Sequence, residues 1–213
     1  MPAPPAIPSV VIDGDDADIR LAELGLSAGL VRTVAGAAYT DASQSSSLEP
    51  SSYPGTTKWA KGTRYFREAT IIDGWKPDST DNFESTIHPS GTHAVALVGG
   101  TPDTGRTDAT PRNARKRGVA AVRAVKRGQL NLLESALTLD TPAPDLWMFL
   151  HFHDEDAHEI RLELSLPNTI ESGFVTSWTE RIVIAAEPFD GIIRAIADDD
   201  DPDIDVDVRR RAS

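Results

Sequence analysis

Hydrophobic and polar positions follow strand-like patterns most clearly between residues 146 and 186. Residues 146–153 are apolar on both alternating faces, which predicts a strand covered on both sides. In residues 158–166 isoleucine and leucine alternate with charged and polar residues, which is typical of a strand with one buried face. A third strand is predicted near residues 174–186, and the turn-type residues 154–157 separate the first two. These three strands are therefore expected to follow one another as a meander.

Helical spacing is found earlier in the chain. One helix is predicted from near Asp18 to Val34, and a second is predicted where Trp59, Gly62 and Phe66 share one face. A third, basic helix is predicted from about Lys116 to Arg127, with valines on its apolar side. Residues 83–88 and 93–98 flank the turn-rich residues 89–92, which predicts a hairpin before the basic helix.

These elements predict an α+β domain. Its sheet is expected to be antiparallel, built from two hairpins and a further strand in a meander-like order and covered by helices, with disordered termini. The domain is expected to span residues 17–196, with a Ser/Pro-rich loop near 40–57 and a connector near 128–145. Residues 1–16 are predicted to be a flexible lead and residues 197–213 an acidic disordered tail.

Composition narrows the function classes. The chain has 213 residues, a formal net charge of −12 and no cysteine, which excludes disulfides, thiolate zinc sites and a cysteine nucleophile and fits a cytoplasmic protein. Its apolar runs are all far shorter than the ~20 residues of a membrane-spanning helix, so no membrane partner is expected. The negative net charge repels the phosphates of nucleic acid, so any contact with phosphate must involve a locally basic part of the surface.

One segment, from Arg106 to Leu133, departs from this acidity, because no acidic residue lies between Asp108 and Glu134. Arginine forms bidentate bonds with phosphate, so this segment is predicted to contact phosphates of nucleic acid or an acidic partner. The candidate residues are Arg112, Arg115, Lys116, Arg117, Arg123 and Arg127. The alternative is that these side chains pair with the aspartate-rich remainder of the chain.

The same segment ends on Gln-Leu-Asn-Leu-Leu at residues 129–133, which resembles the bacterial sliding-clamp-binding motif, Gln-Leu-Ser/Asp-Leu-Phe. The resemblance implies that Gln129 is the polar anchor and that Leu130 and Leu132 are aliphatic contacts. Leu133 stands where phenylalanine is common. In the alternative interpretation the leucines continue the apolar face of the basic helix and pack in the core.

A histidine cluster is predicted on the hairpin around residue 155. If residues 154–157 form the turn, His153 and His158 are cross-strand neighbours and His151 lies on the same face. Three imidazoles with Asp154 or Asp156 would suit Zn²⁺ or Mn²⁺, and a metal-bound water would make a hydrolytic site. The alternative is a core histidine at 151 with two solvated neighbours.

Catalytic signatures are missing from the sequence: there is no HExxH, no Gly-x-Ser-x-Gly and no phosphate-binding loop ending in GKS or GKT. The favoured function is therefore a non-enzymatic interaction or accessory protein in a DNA-related process, with a protein partner of the sliding-clamp type. A metal-dependent hydrolase or nuclease and a structural subunit of a larger complex are the alternatives. Trp59, Trp147 and Trp178 are expected to pack in the core or against the sheet, and Trp75 is expected to be a partly exposed contact residue.

Overall fold

The computed structural model describes residues 9–134 and 143–190, with residues 127–134 described by their backbone alone. The helices are α1 (Gly14–Glu23), α2 (Ala28–Ser43), α3 (Tyr53–Thr70) and α4 (Val119–Glu134). The strands are β1 (Val10–Ile12), β2 (Lys76–Asp78), β3 (Ser85–Ile87), β4 (His93–Gly99), β5 (Asp145–Asp154), β6 (Glu159–Glu171) and β7 (Phe174–Pro188). The chain is an α+β fold, as its sequence predicts.

The strands form one mixed seven-stranded sheet in the order β1-β7-β6-β5-β4-β3-β2. Pairs β1–β7 and β4–β5 are parallel, and the other neighbours are antiparallel. The predicted antiparallel, meander-like sheet is therefore wrong, although the β3–β4 and β5–β6–β7 hairpins occur where they were expected. The physical reason is that the chain leaves β4, passes through α4 and re-enters the sheet beside β4, and such a crossover makes two neighbouring strands parallel.

Helices α1, α2 and α3 cover one face of the sheet. Their buried side chains, such as Leu21, Val31 and Phe66, form one core with Trp147 and Phe149 of β5. Helix α3 lies so close to β4 that a Cβ atom on Gly62 would stand 2.5 Å from Leu97 Cδ2, so a larger residue there would require the Leu97 side chain to move.

In the described ranges no single helix is long and apolar enough to span a membrane; α1 and α2 meet that test only together, as a pair bent by 90°.

The opposite face is covered by α4 and by residues 100–118, which we call the connecting segment. Val125 of α4 packs with Met148 and Leu150 of β5 and with Trp178 of β7. Both faces of β5 are therefore buried, which explains its apolar pattern on both sides.

Local structure differs from the sequence prediction at two helices. The helix predicted from near Asp18 to Val34 is two helices, because the backbone turns at Gly25 with a φ of +70°. The helix predicted from Lys116 starts instead at Val119, so most of the basic residues precede it. Strand β1 lies within the predicted lead, while residues 135–142 of the connector and the predicted tail, 197–213, lie outside the described residues.

Candidate functional site

A pocket of about 480 Å³ opens where the parallel strands β4 and β5 end. Its walls come from α2, the first turns of α3, the ends of both strands and residues 114–117 of the connecting segment. In sheets with parallel strands, ligands bind at the carboxyl ends of those strands. The pocket is lined by the polar side chains of Tyr39, Lys58, Arg115, Arg117, His151, His153 and Glu155, and by the aromatic side chains of Trp59 and Phe152.

Asn113 fixes the part of the connecting segment that reaches the pocket. Its buried Nδ2 donates to the carbonyl oxygens of Arg115, at 2.7 Å, and Gly173, at 2.9 Å. Its Oδ1 accepts from the backbone N–H of Val175, at 2.8 Å. A single side chain therefore ties the segment to the turn between β6 and β7.

Gly173 in that turn gives the segment its second attachment. The backbone N–H of Arg117 donates to the Gly173 carbonyl, at 2.9 Å. Gly173 has a φ of +85°, and a Cβ atom there would stand 2.6 Å from Lys116 Cγ and 2.7 Å from the Arg117 carbonyl oxygen. Glycine is needed both for this backbone conformation and for the close contact.

Arg117 is a largely buried cation in the pocket wall. Its Nε is shielded from solvent and makes no hydrogen bond, and no carboxylate in the described part of the chain pairs with its guanidinium. Burial, and secondarily the charge of Arg115, lower the pKa of Arg117. A buried charge without a counter-ion raises the free energy of the folded state, so this group is arranged to gain from a bound anion.

Other positive groups surround Arg117. The Nζ of Lys58 lies 4.9 Å from the centre of the Tyr39 ring, and a Cβ atom on Gly55 would stand 3.8 Å from Arg115 Nη2. Gly55 belongs to the first turn of α3, whose N-cap residue, Ser52, makes no side-chain capping bond. The positive end of the α3 dipole therefore faces the same space as three cationic side chains, against the single carboxylate of Glu155.

Two polar side chains at the base of the pocket are neutral. His151 Nδ1 and Tyr39 Oη form a buried hydrogen bond of 2.9 Å. Burial, with a smaller effect from Lys58 and Arg117, lowers the pKa of His151 to about 3. Burial raises the pKa of Tyr39, and it lowers the pKa of His153. The charge of the pocket therefore comes from lysine and arginine rather than from histidine.

The structure joins residues that the sequence assigns to separate sites. Arg115 and Arg117 were predicted as phosphate contacts and His151 and His153 as metal ligands, yet all four line one pocket. Three further candidates lie elsewhere: Arg112 and Lys116 are exposed on the connecting segment, and Arg123 is exposed on α4. The Arg123 Nη1 lies 3.8 Å from Asp81 Oδ2.

The remaining candidates belong to the last turns of α4. The backbone of Arg127 and of residues 129–133 is helical, while the side chains lie outside the described residues. The roles of Gln129, Leu130, Leu132 and Leu133 in binding a partner therefore stay predictions.

The predicted metal ligands are not drawn together. His158 is exposed in the β5–β6 turn with a φ of +52°, whereas His151 is buried against Tyr39. Within residues 9–134 and 143–190, no group of three or more histidine, aspartate or glutamate side chains is arranged to hold a metal ion.

For two tryptophans the observed exposure is the reverse of the exposure predicted from the sequence. Trp59, predicted to be in the core, is 41% exposed at the pocket, while Trp75, predicted to be partly exposed, is only 2% exposed. Sequence reasoning also missed Tyr39 and Lys58. The available signal was Pro54-Gly55, a helix start that places Lys58 and Trp59 one turn into α3.

Comparison of the chain with protein-family models, with curated proteins and with solved structures gave no match.

Proposed function

We propose that the protein binds a small organic phosphate in the pocket at the ends of β4 and β5. The observation that carries the proposal is Arg117, whose buried Nε has no hydrogen-bond partner in the described chain and faces no carboxylate there. An oxyanion bound in the pocket would supply the opposite charge.

The surrounding groups favour phosphate over other anions. Guanidinium groups form bidentate bonds with phosphate, and a helix N-terminus adds backbone dipoles that favour negative charge. The chain as a whole is strongly acidic, so a local cationic pocket selects anions that the rest of the surface repels.

The size and lining of the pocket support a ligand larger than inorganic phosphate. Pockets for small organic ligands have volumes of roughly 300–1,000 Å³, and this pocket, at about 480 Å³, lies in that range. The exposed ring of Trp59 and the ring of Phe152 provide an apolar wall for the organic part. The proposal is for a binding protein, in keeping with the non-enzymatic role favoured by the sequence.

Calorimetric titration tests this proposal with inorganic phosphate, sulfate, and alkyl and aryl phosphate monoesters as probes. We expect Arg117→Gln to weaken binding by about 10- to 100-fold, the effect of losing hydrogen bonds to a charged group. Arg123→Gln is the matched control, because Arg123 is an exposed arginine on α4 outside the pocket. Absence of binding by the whole panel, or equal loss in both variants, would refute the proposal.

A DNA-related accessory role is a second proposal, favoured by a different observation. Arg112, Arg115 and Lys116 are all exposed on one short stretch of the connecting segment. Contacts of this type give affinity that falls as salt is raised and does not depend on base sequence. Arg112→Gln/Lys116→Gln is expected to weaken binding to duplex DNA and to reduce its salt dependence, while Arg117→Gln is expected to leave it unchanged.

The partner in that second proposal is the bacterial sliding clamp, through residues 129–133. Gln129→Ala/Leu132→Ala is expected to abolish binding to the purified clamp while thermal stability is retained. Loss of the fold in this variant would instead place Leu132 in the core.

A further inference from the structure

The hydrogen bond between Tyr39 and His151 determines which ring nitrogen of His151 carries the proton. The Tyr39 side chain is 2% exposed, and among the described residues its hydroxyl has one hydrogen-bond partner, His151 Nδ1. The hydroxyl has one hydrogen to donate, and leaving it without an acceptor in a buried site costs free energy. Tyr39 therefore donates, Nδ1 accepts, and the proton of the neutral ring lies on Nε2.

The Nε2–H of His151 is then a hydrogen-bond donor without an acceptor in the described chain. Across residues 9–134 and 143–190 the His151 side chain makes one hydrogen bond, through Nδ1 to Tyr39, and His151 forms part of the pocket lining. The guanidinium of Arg117, which pairs with no carboxylate in the described part of the chain, lines the same pocket. A neutral N–H donor and a cation fit the oxygens and the charge of one anionic ligand group.

We propose that His151 orients the bound anion, donating its Nε2–H to an anion oxygen in the tautomer that Tyr39 imposes. This inference rests on the proposed function, since it assigns the contact that selects an oxyanion within that same pocket. Tyr39 acts through His151 and is a positioning residue.

A neutral donor has a distinct pH behaviour. The titratable groups around the His151 ring are Tyr39 on α2, Lys58 on α3, Arg115 and Arg117 on the connecting segment, His153 on β5 and Glu155 in the β5–β6 turn. Burial lowers the pKa of His151 to about 3, so its ring stays neutral as the solution is made mildly acidic, and burial also lowers the pKa of His153. Affinity for sulfate, whose charge is constant, is expected to stay level from about pH 8 to about pH 5, whereas a phosphate monoester loses its second charge near pH 6 and binds more weakly below it.

Nitrogen-15 NMR of the wild-type protein labelled at histidine tests the tautomer directly. We expect His151 to show an unprotonated Nδ1 and a protonated Nε2 in the free protein, and inorganic phosphate to shift the Nε2 resonance. A proton found on Nδ1 overturns the inference, and so does an Nε2 resonance that phosphate leaves unmoved at saturation.

Affinity variants test the contact independently. Tyr39→Phe/His151→Phe removes both partners of the buried bond together, so that neither is left unsatisfied, and it is expected to weaken phosphate binding by about 10- to 100-fold. His151→Gln, which carries an amide N–H at similar reach, is expected to retain most of the affinity. If the double variant fails to fold, the NMR result on the wild-type protein decides.

The outcomes separate the two proposals. If phosphate and its esters do not bind the wild-type protein, both the proposed function and the role of His151 fail. If the double variant binds as tightly as wild type while Arg117→Gln does not, the anion pocket stands and the role of His151 is refuted.

Discussion

Glu163 and Arg181 form an ion pair on neighbouring strands, with Oε2 and Nη2 2.6 Å apart and both side chains almost completely shielded from solvent. Arg181 also donates to the carbonyl oxygens of Arg106 and Ala109, and Glu163 accepts from the backbone N–H of Gly105. The pair therefore attaches the connecting segment to the sheet. That segment also carries Arg115 and Arg117 to the pocket.

Removal of one partner of this pair is expected to destabilise the protein severely. Arg181→Met would leave the Glu163 carboxylate buried without its counter-ion, which costs about 3–5 kcal/mol of unfolding free energy. Urea denaturation measures the change. Arg64→Met serves as the control because the Arg64–Glu68 pair is exposed on α3, and such pairs contribute little to stability. Similar losses in the two variants would contradict the role assigned to the buried pair.

Gly173→Ala is expected to reduce both stability and anion affinity. The new Cβ atom would meet the Arg117 backbone, and the positive φ adds strain, together worth about 1–3 kcal/mol. Gly91→Ala is the matched control, because Gly91 also has a positive φ but a Cβ atom added there would meet nothing within 4 Å. Calorimetric titration with phosphate should show weaker binding for Gly173→Ala alone; unchanged affinity would show that the turn does not position Arg117.

Acidification is expected to destabilise the protein between about pH 6.5 and about pH 3, because burial lowers the pKa of His151 from 6.5 to about 3. In that window the unfolded chain binds a proton that the folded protein does not, so unfolding free energy falls as pH falls. Above the window the full stability is present. The slope from His151 is at most about 1.4 kcal/mol per pH unit, and His93 and His153, whose pKa values are also lowered by burial, act in the same direction.

Urea denaturation at about pH 7.5 and about pH 5 measures this slope. The variant Tyr39→Phe/His151→Phe, which lacks the titrating ring, is expected to lose less stability between the two conditions. A wild-type protein equally stable at both would contradict the burial of a neutral His151.

Trp59 is expected to report on ligand binding by fluorescence. It is 41% exposed at the pocket, while Trp75, Trp147 and Trp178 are each at most 3% exposed. Acrylamide should therefore quench mainly the emission of Trp59, and an aryl phosphate should protect it. Trp59→Phe is expected to remove the quenchable component, and persistence of that component would show that another tryptophan is accessible.

The sequence predicts individual strands better than their arrangement. The alternation in β6 and the apolar pattern of β5 are local, so both strands were predicted close to their observed positions. The pairing of β4 with β5 depends on where the chain re-enters the sheet after α4, and the hydrophobic pattern of each strand carries no information about this position. The long connection containing a helix was the available signal, because hairpins do not need one.

The site was only partly predictable for the same reason. Arg115 and Arg117 are conspicuous in an acidic chain, and the histidines are conspicuous around a turn. Their meeting in one pocket depends on Asn113, whose bonds to the β6–β7 turn join residues far apart in the chain. Trp59 was assigned to the core because it shares a helical face with Phe66, but the pocket interrupts the packing at that end of α3.

The parallel pairing of β1 with β7 has a consequence for synthesis on the ribosome. Val10 lies opposite Glu180. Strand β1, which is translated first among the described strands, therefore pairs with β7, which is translated last. Until β7 has emerged, β1 has no strand to bond with in the described chain, and the apolar faces of α1 and α2 lack part of their cover. The nascent chain therefore cannot complete this edge of the sheet until β7 has left the ribosome.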